Sequence, residues 1–276
     1  MSAPRHTPHG IAYERAGRDG DVPIVLLHDG VADRTMWDAQ WDTLTAGSDV
    51  VRLDLRGFGE SGRPPGATWS HAEDVLSTLD HLGITRCHLV GASFGAGVAS
   101  EVALSRPGLA RSLLLCPPGG SLLAELTEDL KNFFAAEKSA LAARDLDAAV
   151  EANIATWVVG RDRAPSDVPS GVQDHVRRMQ RRAFEVAESL GETGEAEFAP
   201  PALERLPDLT APVLILIGGH DLDTTHDCAE RICRALPDAR RVDWPDVAHL
   251  PSMERPADFL ALLTEWVAHH PNREGT

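Results

Sequence analysis

The stretch 87–105, CHLVGASFGAGVASEVALS, decides how this chain folds. It opens on a short apolar run, CHLV, of strand length. It closes on a helical pattern from Phe94 to Ser105. Between the two lies Gly91-Ala92-Ser93-Phe94-Gly95, a G-x-S-x-G turn. A strand-to-helix turn this tight forces its central residue into a strained backbone and needs small residues two before and two after it. Both of those are glycine here. The turn lifts the Ser93 hydroxyl above the sheet edge, at a helix N-terminus whose free N–H groups favour negative charge.

Similar apolar runs recur on either side. They are VPIVLLH (22–28), DVVRLDL (49–55), RSLLLC (111–116) and APVLILIGG (211–219), with ARRVDW (239–244) as a weaker sixth. Runs so continuous indicate strands buried on both faces, as in a parallel sheet. Helical patterns separate them at Met36–Leu44, His71–Leu82, Cys228–Leu236 and Ala257–His269. Alternation of this kind predicts an α/β sheet with right-handed crossovers. Residues 117–208 break the rhythm, with helices expected near Ser121–Leu141, Leu146–Val159 and Val172–Leu190. That interval is too long for a connection. The expected organisation is a core of residues 1–116 and 209–276 with a helical cap, 117–208, inserted between two strands.

Composition bounds the function. The chain has 276 residues, 43% hydrophobic and 25% charged, the ordinary globular range. Its formal net charge of -16 repels phosphate backbones and anionic bilayers, so no nucleic-acid or membrane partner is expected. No stretch approaches the ~20 apolar residues of a membrane span. MSAPRHTPHG lacks the apolar run of a signal peptide. Cys87, Cys116, Cys228 and Cys233 form no C-x-x-C pair, which suits a reducing cytoplasm.

A serine hydroxyl becomes a nucleophile only beside a base, and the base needs an orienting carboxylate. His249, in DVAHLPSMERP after the last strand, is the best base. Asp221, just past VLILIG, is the best acid; Asp223 is the fallback and reads better as a helix-capping or turn residue. Two N–H donors must hold the oxyanion. Phe94 supplies one, and Gly30, in the loop after VPIVLLH, is expected to supply the other. His28 should brace that loop. HDLDTTHD (220–227) is rich in metal-ligand residue types, but Asp221 serves better as the acid, so neither metal nor cofactor is expected.

These segments together resemble the α/β-hydrolase superfamily, and within it the small cofactor-independent hydrolases with a helical cap. The resemblance rests on LLHDG (26–30), DLRGFGESG (54–62), GASFGA (91–96), GGHD (218–221) and AHLPSMERP (248–256), and spans residues 10 to 269. It implies a mostly parallel eight-stranded sheet, with the cap between strands six and seven. It implies Ser93, Asp221 and His249 as a triad, with Asp54, Arg56 and Ser61 structural. Two departures stand out. The family's usual His-Gly is His28-Asp29 here, and Asp29 is expected to point outward. The N-terminal strands look short, with room for the first to be missing.

A serine at position 93, where haloalkane dehalogenases and epoxide hydrolases of this fold carry aspartate, favours acyl transfer. The expected activity is hydrolysis of a carboxylic ester or lactone of a small apolar or aromatic substrate. A thioesterase or cyclase on the same triad, and a non-catalytic ligand-binding protein, are the alternatives. Trp37, Phe134, Trp157 and Leu250 are the candidate substrate contacts, with Phe133, Met179 and Phe184 as further candidates. Arg177, Arg178, Arg181 and Arg182 form a solvated basic face, or in the thioesterase reading a dock for an acidic partner. A homodimer stays open.

Overall fold

The computed structural model describes residues 3–18, 21–62, 69–123, 126–190, 194, 196 and 198–271. Eight strands form one sheet in the order β1-β2-β4-β3-β5-β6-β7-β8. They are β1 (Arg5–His6), β2 (Ala12–Ala16), β3 (Ile24–Leu27), β4 (Val50–Leu53), β5 (Cys87–Ser93), β6 (Ala110–Pro118), β7 (Val213–Gly218) and β8 (Arg240–Trp244). From β4 to β8 every neighbour is parallel, while β1/β2 and β2/β4 run antiparallel. Both N-terminal strands are therefore present. β2 reads AYERA and is only half buried, so it lacks the continuous apolar run that announces the central strands.

Alternation along the central strands splits the core in two. Val25, Leu27, Leu89, Leu113 and Ile215 face one way, onto α2 (His71–His81), α3 (Phe94–Ser105) and α7 (Asp223–Ala235). Ile24, Leu26, Val90, Leu114 and Leu216 face the other way, onto α1 (Asp38–Gly47) and α9 (Pro256–Ala268), with short α8 (Pro251–Glu254) beside them. α2 starts where Ser70 accepts the Glu73 N–H, and Glu73 and Asp74 favour its positive end.

The helical insertion lies between β6 and β7. It contains α4 (Glu128–Ala142), α5 (Leu146–Asn153) and α6 (Ser170–Leu190). The first helix expected there is split: a 3-10 turn occupies Gly120–Leu122, α4 begins at Glu128, and residues 124 and 125 lie outside the described residues. α5 runs on into a wider π-type turn, Ile154–Val159, which ends at Gly160. Val150, Ile154, Val158, Val176 and Met179 pack the insertion onto the α1/α9 face of the core.

Candidate active site

Ser93 ends β5 and precedes α3 with φ 48° and ψ -109°. A non-glycine residue there stores roughly 1–3 kcal/mol of strain. The flanking glycines are required by contact. A Cβ at Gly95 would lie 2.4 Å from the His28 carbonyl oxygen, and one at Gly91 would lie 2.3 Å from the Gly95 carbonyl oxygen. The helix can thus sit close enough to the sheet for the turn to close. A third glycine belongs to this packing. Gly119, at the end of the neighbouring strand β6, leaves room for only a hydrogen, since a Cβ would come 2.8 Å from Ser93 Oγ.

Parallel strands deliver the other groups to the same sheet edge. Asp221 follows β7 and His249 follows β8. The imidazole Nδ1 lies 2.8 Å and 2.7 Å from the two Asp221 oxygens. Asp221 Oδ1 also accepts the Leu222 N–H at 2.7 Å, which fixes the carboxylate. Asp223 is the first residue of α7 and accepts the Thr224 N–H at 2.8 Å. Burial alone would lower the His249 pKa, but Asp221, with a smaller contribution from Asp29, outweighs it and holds the imidazole above its ordinary value. Among the described residues no hydrogen bond joins Ser93 to His249.

Asp29 points inward, against expectation. Its Oδ1 accepts the Val31 N–H at 2.9 Å, which folds the side chain back over its own loop. Oδ2 then faces His249 Nε2 at 3.5 Å, with no hydrogen-bond partner of its own among the described residues. Burial pushes the Asp29 pKa up, and the His249 charge only partly offsets this. His28 braces the loop as expected. Its Nε2 accepts the Leu55 N–H at 2.8 Å, so Nδ1 carries the proton and donates to the Asp29 carbonyl at 2.7 Å. Burial keeps this ring neutral by lowering its pKa.

The segment 54–62 holds the loop from behind. Asp54 accepts the backbone N–H groups of Arg34 and Glu60, each at 2.8 Å, and pairs with the Arg34 guanidinium at 2.5 Å. Arg56 clamps Asp74 through two 2.6 Å bonds. Ser61 bridges the Asp54 carbonyl and the Ala12 N–H. Gly30 and Phe94 are neighbours: a Cβ on Gly30 would touch Phe94 Cβ at 3.5 Å. The two residues expected to hold an oxyanion are therefore neighbours in space.

Ser93, Asp29, Gly30 and Phe94 line a cavity of about 530 Å³ between the sheet edge and the insertion. Trp157, Phe133, Phe134 and Phe184 supply its apolar wall. Trp157 lies 4.5 Å from the His249 ring, centroid to centroid. Two expected contacts are elsewhere. Trp37 is wholly buried and stacks on Phe259 at 5.7 Å, because the turn before α1 aims it into the α1/α9 layer. Leu250 is also fully buried in that layer and does not line the cavity. Met179 packs beneath the insertion, its sulfur 3.3 Å from Thr35 Oγ1.

Sequence reasoning missed Gly119, the inward turn of Asp29, and the polar lining from Glu137, Asn153 and Gln180. The position of Gly119 carried a signal, since it directly follows a strand adjacent to the serine's strand. Arg177 and Arg181 pair with Glu151 and Asp147, and Arg182 lies 3.8 Å from Glu185. Among the described residues no three His, Cys, Asp or Glu side chains gather where a metal could bind, and no helix is long and apolar enough to cross a membrane.

A mostly parallel eight-stranded sheet with a helical insertion between β6 and β7 is the fold of the α/β hydrolases. The model of the Alpha/beta hydrolase family matches residues 24–262, and the chain belongs to that family. It is 30% identical over 261 residues to the dihydrolipoyllysine-residue acetyltransferase component of the acetoin cleaving system of Cupriavidus necator. That match covers 92% of this chain and 65% of the relative, so the chain spans less than two thirds of it. A protein provisionally named carbamate hydrolase RutD, from Klebsiella pneumoniae, is 27% identical over 263 residues, 90% of this chain and 92% of its own. A thermophilic esterase from Thermogutta terrifontis superposes with a TM-score of 0.76 at 26% identity, covering 98% of each chain.

Proposed function

We propose that this protein is a serine hydrolase that cleaves a carboxylic ester or lactone of a small apolar or aromatic substrate. Ser93, His249 and Asp221 would act as nucleophile, base and orienting acid. One observation carries the reading: the bonded Asp221–His249 pair packs against Trp157 and faces Asp29, and both of these line the same cavity as Ser93. The esterase resemblance supports the same class.

His249 Nε2 takes the Ser93 proton as Oγ attacks the acyl carbon, and the carbonyl electrons move onto oxygen. The N–H groups of Phe94 and Gly30 hold that oxyanion; one such donor is worth about 3 kcal/mol. The carbonyl re-forms, the C–O bond to the leaving alcohol breaks, and the imidazolium protonates the departing oxygen. Water, deprotonated by His249, then hydrolyses the acyl-enzyme by the same steps. The insertion between β6 and β7 acts as the cap that selects the acyl chain through Trp157 and Phe134.

A thioesterase docking an acidic carrier on the arginine face is less favoured, since three of those four arginines already face acidic side chains. The test is labelling by a fluorophosphonate probe. Wild type should label and Ser93→Ala should not, both folded. A folded wild type that never labels would sink the reading.

A further inference from the structure

Two carboxyl groups bracket one imidazole. Both Asp221 oxygens lie within 2.8 Å of His249 Nδ1, so that nitrogen carries a proton. In a neutral imidazole Nε2 is then a bare lone pair. It faces Asp29 Oδ2 at 3.5 Å, a buried oxygen that no other group bonds among the described residues. A carboxylate and a lone pair so opposed, shielded from water, repel each other, and a buried unpaired charge is costly.

The surroundings do not relieve this. The Val31 and Gly30 N–H groups face the Asp29 carboxyl and soften its charge. The other titratable groups near it are Asp221, a second carboxyl group that pushes the Asp29 pKa further up, and the Cys116 thiol, which burial keeps neutral by raising its pKa well above the ordinary range. Glu254 lies beside the histidine loop but is turned to Arg163 at 2.6 Å. Arg56 lines the cavity with its guanidinium committed to Asp74.

We infer that the resting site holds one proton between Asp29 and His249 Nε2, making Asp29 a positioning residue that withholds the imidazole from Ser93 until this proton leaves for water. The proton belongs to the pair: on nitrogen it makes imidazolium and carboxylate, on oxygen a neutral pair. With glycine at position 29, Nε2 would be free at lower pH. The consequence for Ser93 rests on the hydrolase reading above; the shared proton does not.

The experiment follows the histidine ring nitrogens by NMR in the whole protein labelled with ¹⁵N-histidine, across pH. The His249 signals are identified by their loss in His249→Gln. In wild type the imidazolium form should persist to a pH at least one unit, tenfold in proton concentration, above that in Asp29→Gly and Asp29→Ala. Two variants are used so that one poor folder does not decide the matter. The same titration in all three proteins would overturn the inference. Fluorophosphonate labelling rates on the same samples separate the two readings. A labelling midpoint that moves down with the titration supports the withholding role. Labelling of Ser93 with an unmoved midpoint overturns it. A shifted titration without any labelling upholds the shared proton and sinks the hydrolase reading instead.

Discussion

Gly119 and Ser93 come so close that a Cβ on the glycine would lie 2.8 Å from Ser93 Oγ and 3.0 Å from Ser93 Cα. Gly119 has φ -170°, an extended conformation open to any residue, so space alone excludes a side chain. Gly119→Ala should therefore push the serine hydroxyl out of place. Overpacking of this kind costs about 1–3 kcal/mol. We expect a folded protein with a slightly lower Tm and a fluorophosphonate labelling rate reduced about a hundredfold, as small misplacements of a reacting group produce. Wild-type labelling in Gly119→Ala would show that the turn has slack.

Asp221 serves two partners at once, the His249 ring and the Leu222 N–H. Asp221→Asn keeps the shape but puts an NH2 donor in place of one of the two oxygens that face the Nδ1 proton. The imidazole would then adopt the wrong tautomer, and loss of a triad acid costs about 10⁴ in kcat. The His249 pKa should also fall, because Asp221 is the main charge holding it up. Ester hydrolysis measured against pH checks both effects together.

At the opposite end of β5, His88 is buried against Ser112 Oγ at 2.9 Å. Burial, helped by the positive charges of His270 and Arg111, lowers its pKa to about 4. The unfolded chain therefore binds more protons between pH 6.5 and about 4. Stability is full above the ordinary histidine pKa and is lost as pH falls through that window, by roughly 3 kcal/mol. His88→Leu should flatten this part of the pH–stability curve in chemical denaturation. Labelling of Ser93 should not change, since His88 lies in register with Ile24, at the far end of the sheet from the site.

The cavity carries the carboxyl groups of Asp29 and Glu137. An acyl chain ending in a carboxylate should be disfavoured there, whereas an uncharged chain can lie on Trp157 and Phe133. We expect p-nitrophenyl butyrate to be cleaved at least tenfold faster, in kcat/KM, than the p-nitrophenyl monoester of succinate. Glu137→Gln should narrow the gap, and equal rates in wild type would refute the charge argument.

Charge reversal at Arg177 and Arg181 tests the acidic-carrier alternative. Their ion pairs with Glu151 and Asp147 are half exposed, and such pairs are worth about 1 kcal/mol or less. Arg177→Glu with Arg181→Glu should lower Tm by a few degrees and leave small-ester hydrolysis intact. Selective loss against a carrier-bound thioester would revive the thioesterase reading.

The amino-acid sequence alone determined the parallel core, because β3, β5 and β7 are apolar on both faces and their period is local. It also carried the serine turn, since the steric demand for glycine at 91 and 95 acts over a few residues. That Asp221 and His249 lie at the same sheet edge as Ser93 followed from their positions just past two strands of a parallel sheet. Tertiary structure alone decided the rest. That both N-terminal strands are present was not legible, because a half-buried strand next to the sheet edge needs few apolar residues. Trp37 and Leu250 went into the core, and Asp29 turned into the site, through packing between segments far apart in the chain. A side chain's direction depends on what its loop meets across the fold. For Asp29 that is the Val31 N–H on one side and His249, 220 residues along, on the other.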